Sequence, residues 1–210
     1  MKTVAILSRK GGAGKTTLAV HVGVAAEQAG IVTAIFDLDP QASAAVWGDN
    51  RGEAPDVVPA QAPRLAALLA AARGQGAKLA LIDTAPHADG IAADAAALAD
   101  LVLIPCRPSS FDLAAIGSTV RLAQAAGKPA YVIINAAPTQ GRQAAETIEA
   151  LTGAGVEVSP VIIHQRVAFA AWIAAGRTAA EAEPGGKAAA EITELLAWLA
   201  TTLKIQSANL

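Results

Sequence analysis

Arg9-Lys10-Gly11-Gly12-Ala13-Gly14-Lys15-Thr16-Thr17 follows immediately on the apolar run Thr3–Leu7. A strand, a glycine-rich turn and a helix start are what the phosphates of a nucleoside triphosphate require. Glycines let backbone N–H groups approach phosphate oxygens, and the helix that follows points its positive dipole end at them. In that arrangement Lys15 reaches the β and γ phosphates as a point charge and the Thr16 hydroxyl ligates Mg²⁺. The ordinary phosphate-loop pattern places its first glycine where this chain has Arg9, and a second lysine, Lys10, stands just before the glycine pair. A glycine turn with merely solvated lysines does not explain three glycines, two lysines and paired threonines in so short a stretch.

Two further apolar runs end in acids. Ile31–Phe36 leads into Asp37-Leu38-Asp39-Pro40-Gln41, and Leu79–Ile82 leads into Asp83-Thr84-Ala85-Pro86. In a parallel α/β sheet, ligands bind beyond the carboxyl ends of the strands, so these three aspartates can converge on the glycine loop. A lone aspartate after a strand is ordinarily a cap or turn residue. Asp-x-Asp-Pro-Gln in this place is far more specific.

The order Lys-Gly-Gly-x-Gly-Lys-Thr-Thr resembles the deviant Walker A motif of the ParA/MinD group of P-loop ATPases, and the resemblance runs from Met1 to about Leu203. It implies ATP and Mg²⁺ as ligands, with Lys10, Gly11, Gly12, Ala13, Gly14, Lys15, Thr16 and Thr17 forming the nucleotide loop. Lys15 acts in cis, and Lys10 reaches the phosphates of a partner subunit in an ATP-bound sandwich homodimer. By the same resemblance Asp83 is the Walker B carboxylate, holding Mg²⁺ through water, and Thr84–His87 forms the switch loop. Asp37 supports the metal shell and Asp39 positions the attacking water. Asn135, at the end of the run Ile133–Asn135, is a candidate adenine reader beside an ordinary turn role, with further adenine contacts expected from backbone around Ser159–Ile163. Arg166 and Lys187, then Arg177 and Arg142, are the candidate DNA contacts, each also readable as a plain solvated charge. His164 reads as a structural residue at a strand end.

The function implied is a slow, partner-stimulated ATPase of the short ParA or ParF type. Its ATP dimer holds DNA without sequence preference, and an adaptor of ParB type triggers hydrolysis. Its cargo is a plasmid, a chromosome region or a protein assembly. Two alternatives stand beside it: an ATP-dependent metabolic enzyme of the dethiobiotin synthetase kind, and a regulatory ATP switch that ignores DNA.

Bulk properties agree with one α/β domain over 1–210, with 204–210 as a candidate disordered tail. The chain has 210 residues, 53% of them apolar, enough for one sizeable core. A formal net charge of −2 carries no global basic signature, and one cysteine excludes an intrachain disulfide framework. A strand from the first residues leaves no room for a signal peptide, and the end Leu203–Leu210 carries too little apolar surface for stable membrane attachment. The expected location is cytoplasmic and nucleoid-associated. Alternating apolar runs and alanine-rich helical stretches predict a mostly parallel, doubly wound sheet flanked by helices. Helices are expected over Thr16–Ala29, Arg64–Arg73, Gly90–Leu98, Leu113–Ala126, Gln140–Thr152, Val167–Ala175 and Lys187–Leu203. Gly48–Pro63 reads as irregular, and the later strands are expected at Leu101–Pro105, Ala130–Asn135 and Val156–Ile163.

Overall fold

The computed structural model describes residues 1–206; residues 207–210, part of the candidate tail, and the side chains of 110–115 lie outside the described set. Seven strands, β1 (Lys2–Ile6), β2 (Thr33–Asp37), β3 (Asp56–Pro59), β4 (Leu79–Asp83), β5 (Leu101–Cys106), β6 (Ala130–Ala137) and β7 (Val158–His164), form one sheet in the order β3-β2-β4-β1-β5-β6-β7. Every pairing is parallel. Parallel strands need crossover connections, and six helices supply them: α1 (Lys15–Gln28), α2 (Ser43–Arg51), α3 (Ala62–Gly74), α4 (Asp89–Leu98), α5 (Ser110–Ala125) and α6 (Gln143–Gly153). The short α7 (Ala168–Ala171) and α8 (Ala179–Ala182), and the long α9 (Lys187–Leu203), follow β7.

The helices cover both faces. Side chains alternate across a strand, so Val4 and Ile6 of β1 face a core built with Leu18, Val22, Trp47, Ile192, Leu195 and Leu199. Ala5 and Leu7 face the opposite core with Leu65, Leu69, Ala95, Ile116 and Leu151. With both faces covered, β2, β4 and β5 are buried along their whole length, which is why they read as continuous apolar runs instead of alternating ones. Helix α9 buries Ile192, Leu195, Leu196, Leu199 and Leu203 at helical spacing.

The segment expected to be irregular, 48–63, is ordered. It completes α2, forms the edge strand β3 and starts α3 at Ala62. Pro59 is tolerated because β3 is an edge strand, half-exposed and bonded on one side only. Pro63 sits in the first turn of α3, where its missing N–H costs nothing. The helix expected over 167–175 breaks at Trp172 into α7 and a 3₁₀ turn, Ile173–Ala175, closed by left-handed Gly176. Helix α8 then starts from a capping box, in which Thr178 N–H and Oγ donate to Glu181 at 2.8 and 2.9 Å.

Arg51 ties the end of α2 to this C-terminal region. Its guanidinium donates to Glu181 at 3.0 Å and to the Gly176 carbonyl at 3.1 Å, and its Nε donates to the Ala54 carbonyl at 2.7 Å. The side chain is only 6% exposed and lies 5.3 Å from the Trp47 ring centroid. Burial pushes the Glu181 carboxyl up, but the hydrogen bonds and charge of Arg51 together with the Thr178 hydrogen bonds hold it below its ordinary value. Removing one partner of a buried pair strands the other charge, so Arg51→Ala is expected to destabilise the fold by about 3 kcal/mol. Urea unfolding followed by circular dichroism measures this; an unchanged midpoint refutes the strap.

Candidate active site

The carboxyl ends of β1, β2 and β4 lie side by side, because β4 pairs with both of the others and places Asp83 level with Ile6 and with Asp37. Strand order thus brings together the three sequence motifs. Left-handed Gly14, at φ 97°, forms the turn into α1, and a Cβ there would fall 2.2 Å from Asn135 Nδ2. Lys15 follows on the first turn of α1 and is 6% exposed. Burial pulls its pKa down, while the fields of Asp83 and Asp39 pull it back up. Those two carboxylates therefore share the lysine's surroundings.

Asp83 is fully buried. Its Oδ2 accepts the Thr16 hydroxyl at 2.5 Å, whereas its Oδ1 is buried with no hydrogen-bond partner among the described residues. Burial pushes its pKa up to about 7, with Asp37 and Asp39 adding to the rise and Thr16 and Lys15 opposing it. A half-satisfied buried carboxylate beside a hydroxyl at a helix N-terminus fits a hydrated Mg²⁺ with phosphate oxygens: Thr16 and Asp83 would hold the ion and its water.

Asp37 is also buried, but both its oxygens accept backbone amides, from Asp39 at 3.0 Å and Ala45 at 3.0 Å. It shapes the turn and fastens the start of α2. Asp39 is half-buried at the head of that turn, its Oδ1 accepting Gln41 N–H at 2.9 Å. Lys10 is half-buried, with its backbone N–H on Ser8 Oγ at 3.2 Å, and Gly11 and Gly12 beyond it are exposed. The Thr17 carbonyl accepts a hydrogen bond from His21 Nδ1 at 2.8 Å. Thr84 anchors the loop after β4 through its hydroxyl to the Ile6 carbonyl at 3.0 Å, and Arg9 pairs with Asp89 at 2.7 Å, linking the glycine loop to the start of α4.

The residues proposed for the base and for DNA are placed differently from one another. Asn135 donates its amide to the Ala13 carbonyl at 2.7 Å, bracing the glycine loop. Ser159 opens β7 at the far edge of the sheet, so the backbone expected to contact adenine lies in the strand itself. A cleft of about 810 Å³ stands instead beyond the carboxyl ends of β6 and β7, lined by Pro138, Thr139, Gln165, Arg166 and Val167. Arg166 is 21% exposed and donates to Glu191 Oε1 through Nε at 3.0 Å and Nη2 at 2.5 Å. His164 Nδ1 lies 2.8 Å from that same carboxylate oxygen, in keeping with its expected structural role. Arg142, 85% exposed, lies 3.9 Å from Glu146, and Arg177 and Lys187 are exposed. A second cleft, about 710 Å³, lies beside Asp39 between Leu38, Pro40, Gln61, Arg64 and Ile91. Neither the role of Glu191 nor the Asn135 brace is legible from sequence, because both act on partners distant in the chain.

A parallel sheet of this order, with a lysine-bearing glycine loop after β1 and an acid at the end of β4, defines a P-loop nucleotide-binding domain. Residues 4–179 match the CobQ/CobB/MinD/ParA nucleotide binding domain, and the chain belongs to that family. It is 30% identical over 213 residues to the maintenance of carboxysome distribution protein A of Halothiobacillus neapolitanus, covering 92% of this chain and 94% of that one. It is 34% identical over 121 residues to protein ParA of Rhizobium radiobacter, a match covering 56% of this chain and spanning about half, 54%, of that relative's length. The septum site-determining protein MinD of Pyrococcus horikoshii, solved with Mg-ADP, shares the fold with a TM-score of 0.74 at 18% identity, over 93% of this chain and 94% of that one.

The raised pKa of Asp83 makes a stability prediction. Between its ordinary 3.8 and about 7, the folded ligand-free protein holds a proton that the unfolded chain has released. That contribution is complete below the lower value and lost as pH rises through the upper one. Asp83→Asn should therefore flatten the pH dependence of thermal unfolding and stabilise the ligand-free protein at pH 8 by roughly 2 kcal/mol. An Asn variant as pH-sensitive as the wild type refutes the assignment. Lys15→Ala should weaken ATP binding at least about tenfold by calorimetry, through loss of a charge-assisted contact.

Proposed function

We propose that this ATPase is a positioning switch. With ATP and Mg²⁺ it forms a face-to-face homodimer, holds DNA without sequence preference, and hydrolyses ATP slowly until an adaptor of ParB type or its equivalent accelerates release. The observation that carries this reading is the pair of lysines on one glycine loop: Lys15 buried in the field of Asp83 and Asp39, Lys10 half-buried beside the exposed Gly11 and Gly12. A buried lysine serves its own site. A lysine at the rim of an exposed loop stands where a second nucleotide would meet it across a two-fold interface.

Phosphoryl transfer depends on positioning and electrostatic stabilisation more than on covalent chemistry. When bound, Mg²⁺ would neutralise charge on the β and γ phosphates. Thr16 and Asp83 would hold its shell, Lys15 would bind the terminal phosphates, and Asp39, fixed by the Asp37 turn, would orient the attacking water. The partner subunit's Lys10 would complete charge neutralisation, so ATP favours the dimer and hydrolysis removes the preference. The cleft beyond β6 and β7 is where we place adenine, with Asn135 holding the loop next to it. Exposed Arg142, Arg177 and Lys187 are the proposed phosphate contacts on DNA; Arg166, held by Glu191, would shape that surface from within. The cargo we propose is a plasmid, a chromosome region or a protein assembly, the last in line with the carboxysome-distribution relative.

The second reading, an ATP-dependent metabolic enzyme, rests on the cleft of about 710 Å³ at Asp39, where a small substrate could meet an activated phosphate. One experiment separates the readings. Asp39→Ala should slow hydrolysis about 100-fold while preserving an ATP dimer, and light scattering with DNA-binding titrations across a salt series reads the result. ATP-specific, salt-sensitive DNA binding by a dimer supports the switch, and Arg177→Glu or Lys187→Glu should then lower the salt slope by about one each. An ATP dimer that ignores DNA points to a regulatory role, and the absence of any ATP dimer points to the enzyme.

A further inference from the structure

We infer that Arg107 is a phosphate-binding residue for the nucleotide held in its own glycine loop, an arginine that the loop motif itself does not contain. Strand β5 lies beside β1, with Val4, Ala5 and Ile6 in register with Leu101, Val102 and Leu103, so the residues that follow β5 emerge next to the glycine loop that follows β1. Arg107 is the first of them. Its carbonyl is fixed by Ser109 N–H at 2.7 Å and Cys106 Sγ at 3.3 Å, while its side chain is exposed. The guanidinium reaches back over the loop: Nη2 lies 4.0 Å from the position a Cβ on Gly12 would occupy.

Among the described residues this guanidinium has no hydrogen-bond or ion-pair partner. Other arginines of the fold behave otherwise: Arg9 is paired with Asp89, Arg51 with Glu181 and Arg166 with Glu191. An arginine held over a loop whose backbone is shaped to receive phosphate, with no acid among the described residues to occupy it, offers its planar fork to the same anion. Arginine binds phosphate oxygens through two parallel N–H bonds, which a lysine in the same place cannot reproduce. Arg107 thereby adds a cation from the same subunit, and part of the nucleotide's charge is neutralised before any partner contributes Lys10.

The inference rests on nucleotide binding at the glycine loop, and the test separates the two. In a Lys10→Ala background, at concentrations where sedimentation shows a monomer, Mg-ATP affinity is measured by calorimetry for Arg107, Arg107→Ala and Arg107→Lys, with Lys15→Ala as control. Circular dichroism and the unfolding midpoint should be unchanged in the Arg107 variants, because the side chain is exposed and has no partner among the described residues. Arg107→Ala should weaken ATP binding about tenfold and Arg107→Lys should recover part of the loss. Unaltered affinity in Arg107→Ala, with affinity lost in Lys15→Ala, overturns the role of Arg107 alone. If neither the parent nor Lys15→Ala binds ATP, the nucleotide reading itself fails and the inference falls with it.

Discussion

The structure depends on charge buried at the carboxyl edge of its central strands. Asp83 ends a strand that is buried along its length, one oxygen on Thr16 and the other with no hydrogen-bond partner among the described residues, and Lys15 is nearly as buried beside it. A buried carboxylate left half-satisfied costs free energy, and here the cost is visible as a pKa pushed up to about 7. Such an arrangement is tolerable when a bound ligand returns the missing interactions. Two buried side chains of opposite sign beside a glycine turn suit a metal-bound polyanion. The surrounding sheet holds them in place, with hydrophobic cores on both faces that make the edge rigid.

How much of this could be read from the chain depended on the distance over which each role is defined. The glycine loop and the two acid-tipped strands were legible because strand, turn and ligand-binding side chain are neighbours in sequence. The parallel sheet followed from the apolar runs, which in β2, β4 and β5 are buried on both faces and so need no alternation. Segment 48–63 was misread because its glycines and prolines signal irregularity, whereas an edge strand and a first helical turn each accommodate proline without losing a needed hydrogen bond. Asp37 was legible as part of a motif but not in its contacts: only the fold shows that the Asp39 and Ala45 amides occupy both oxygens.

Roles that depend on strand order stayed hidden. Nothing near Arg107 in the chain marks it, since its relation to Gly12 exists only because β5 inserts between β1 and β6. Arg166 was noticed for its charge, but Glu191, twenty-five residues later, decides what that charge does. Isolated basic residues in a sequence are therefore ambiguous in a way that glycine loops are not. A guanidinium's function is set by whether an acid reaches it first.

Helix α2 has both ends fastened. The Asp37 carboxylate holds the amide of Ala45 near its beginning, and Arg51 near its end grips Glu181 and the Gly176 carbonyl. Between them run fewer than ten residues packed through Ala44 and Trp47 into the core. The turn bearing Asp39 is thus coupled mechanically to the stretch that bears Arg177 and Lys187, on the opposite side of a short rod. A displacement of that turn large enough to move the rod must either drag the basic stretch along or break the Arg51 grip.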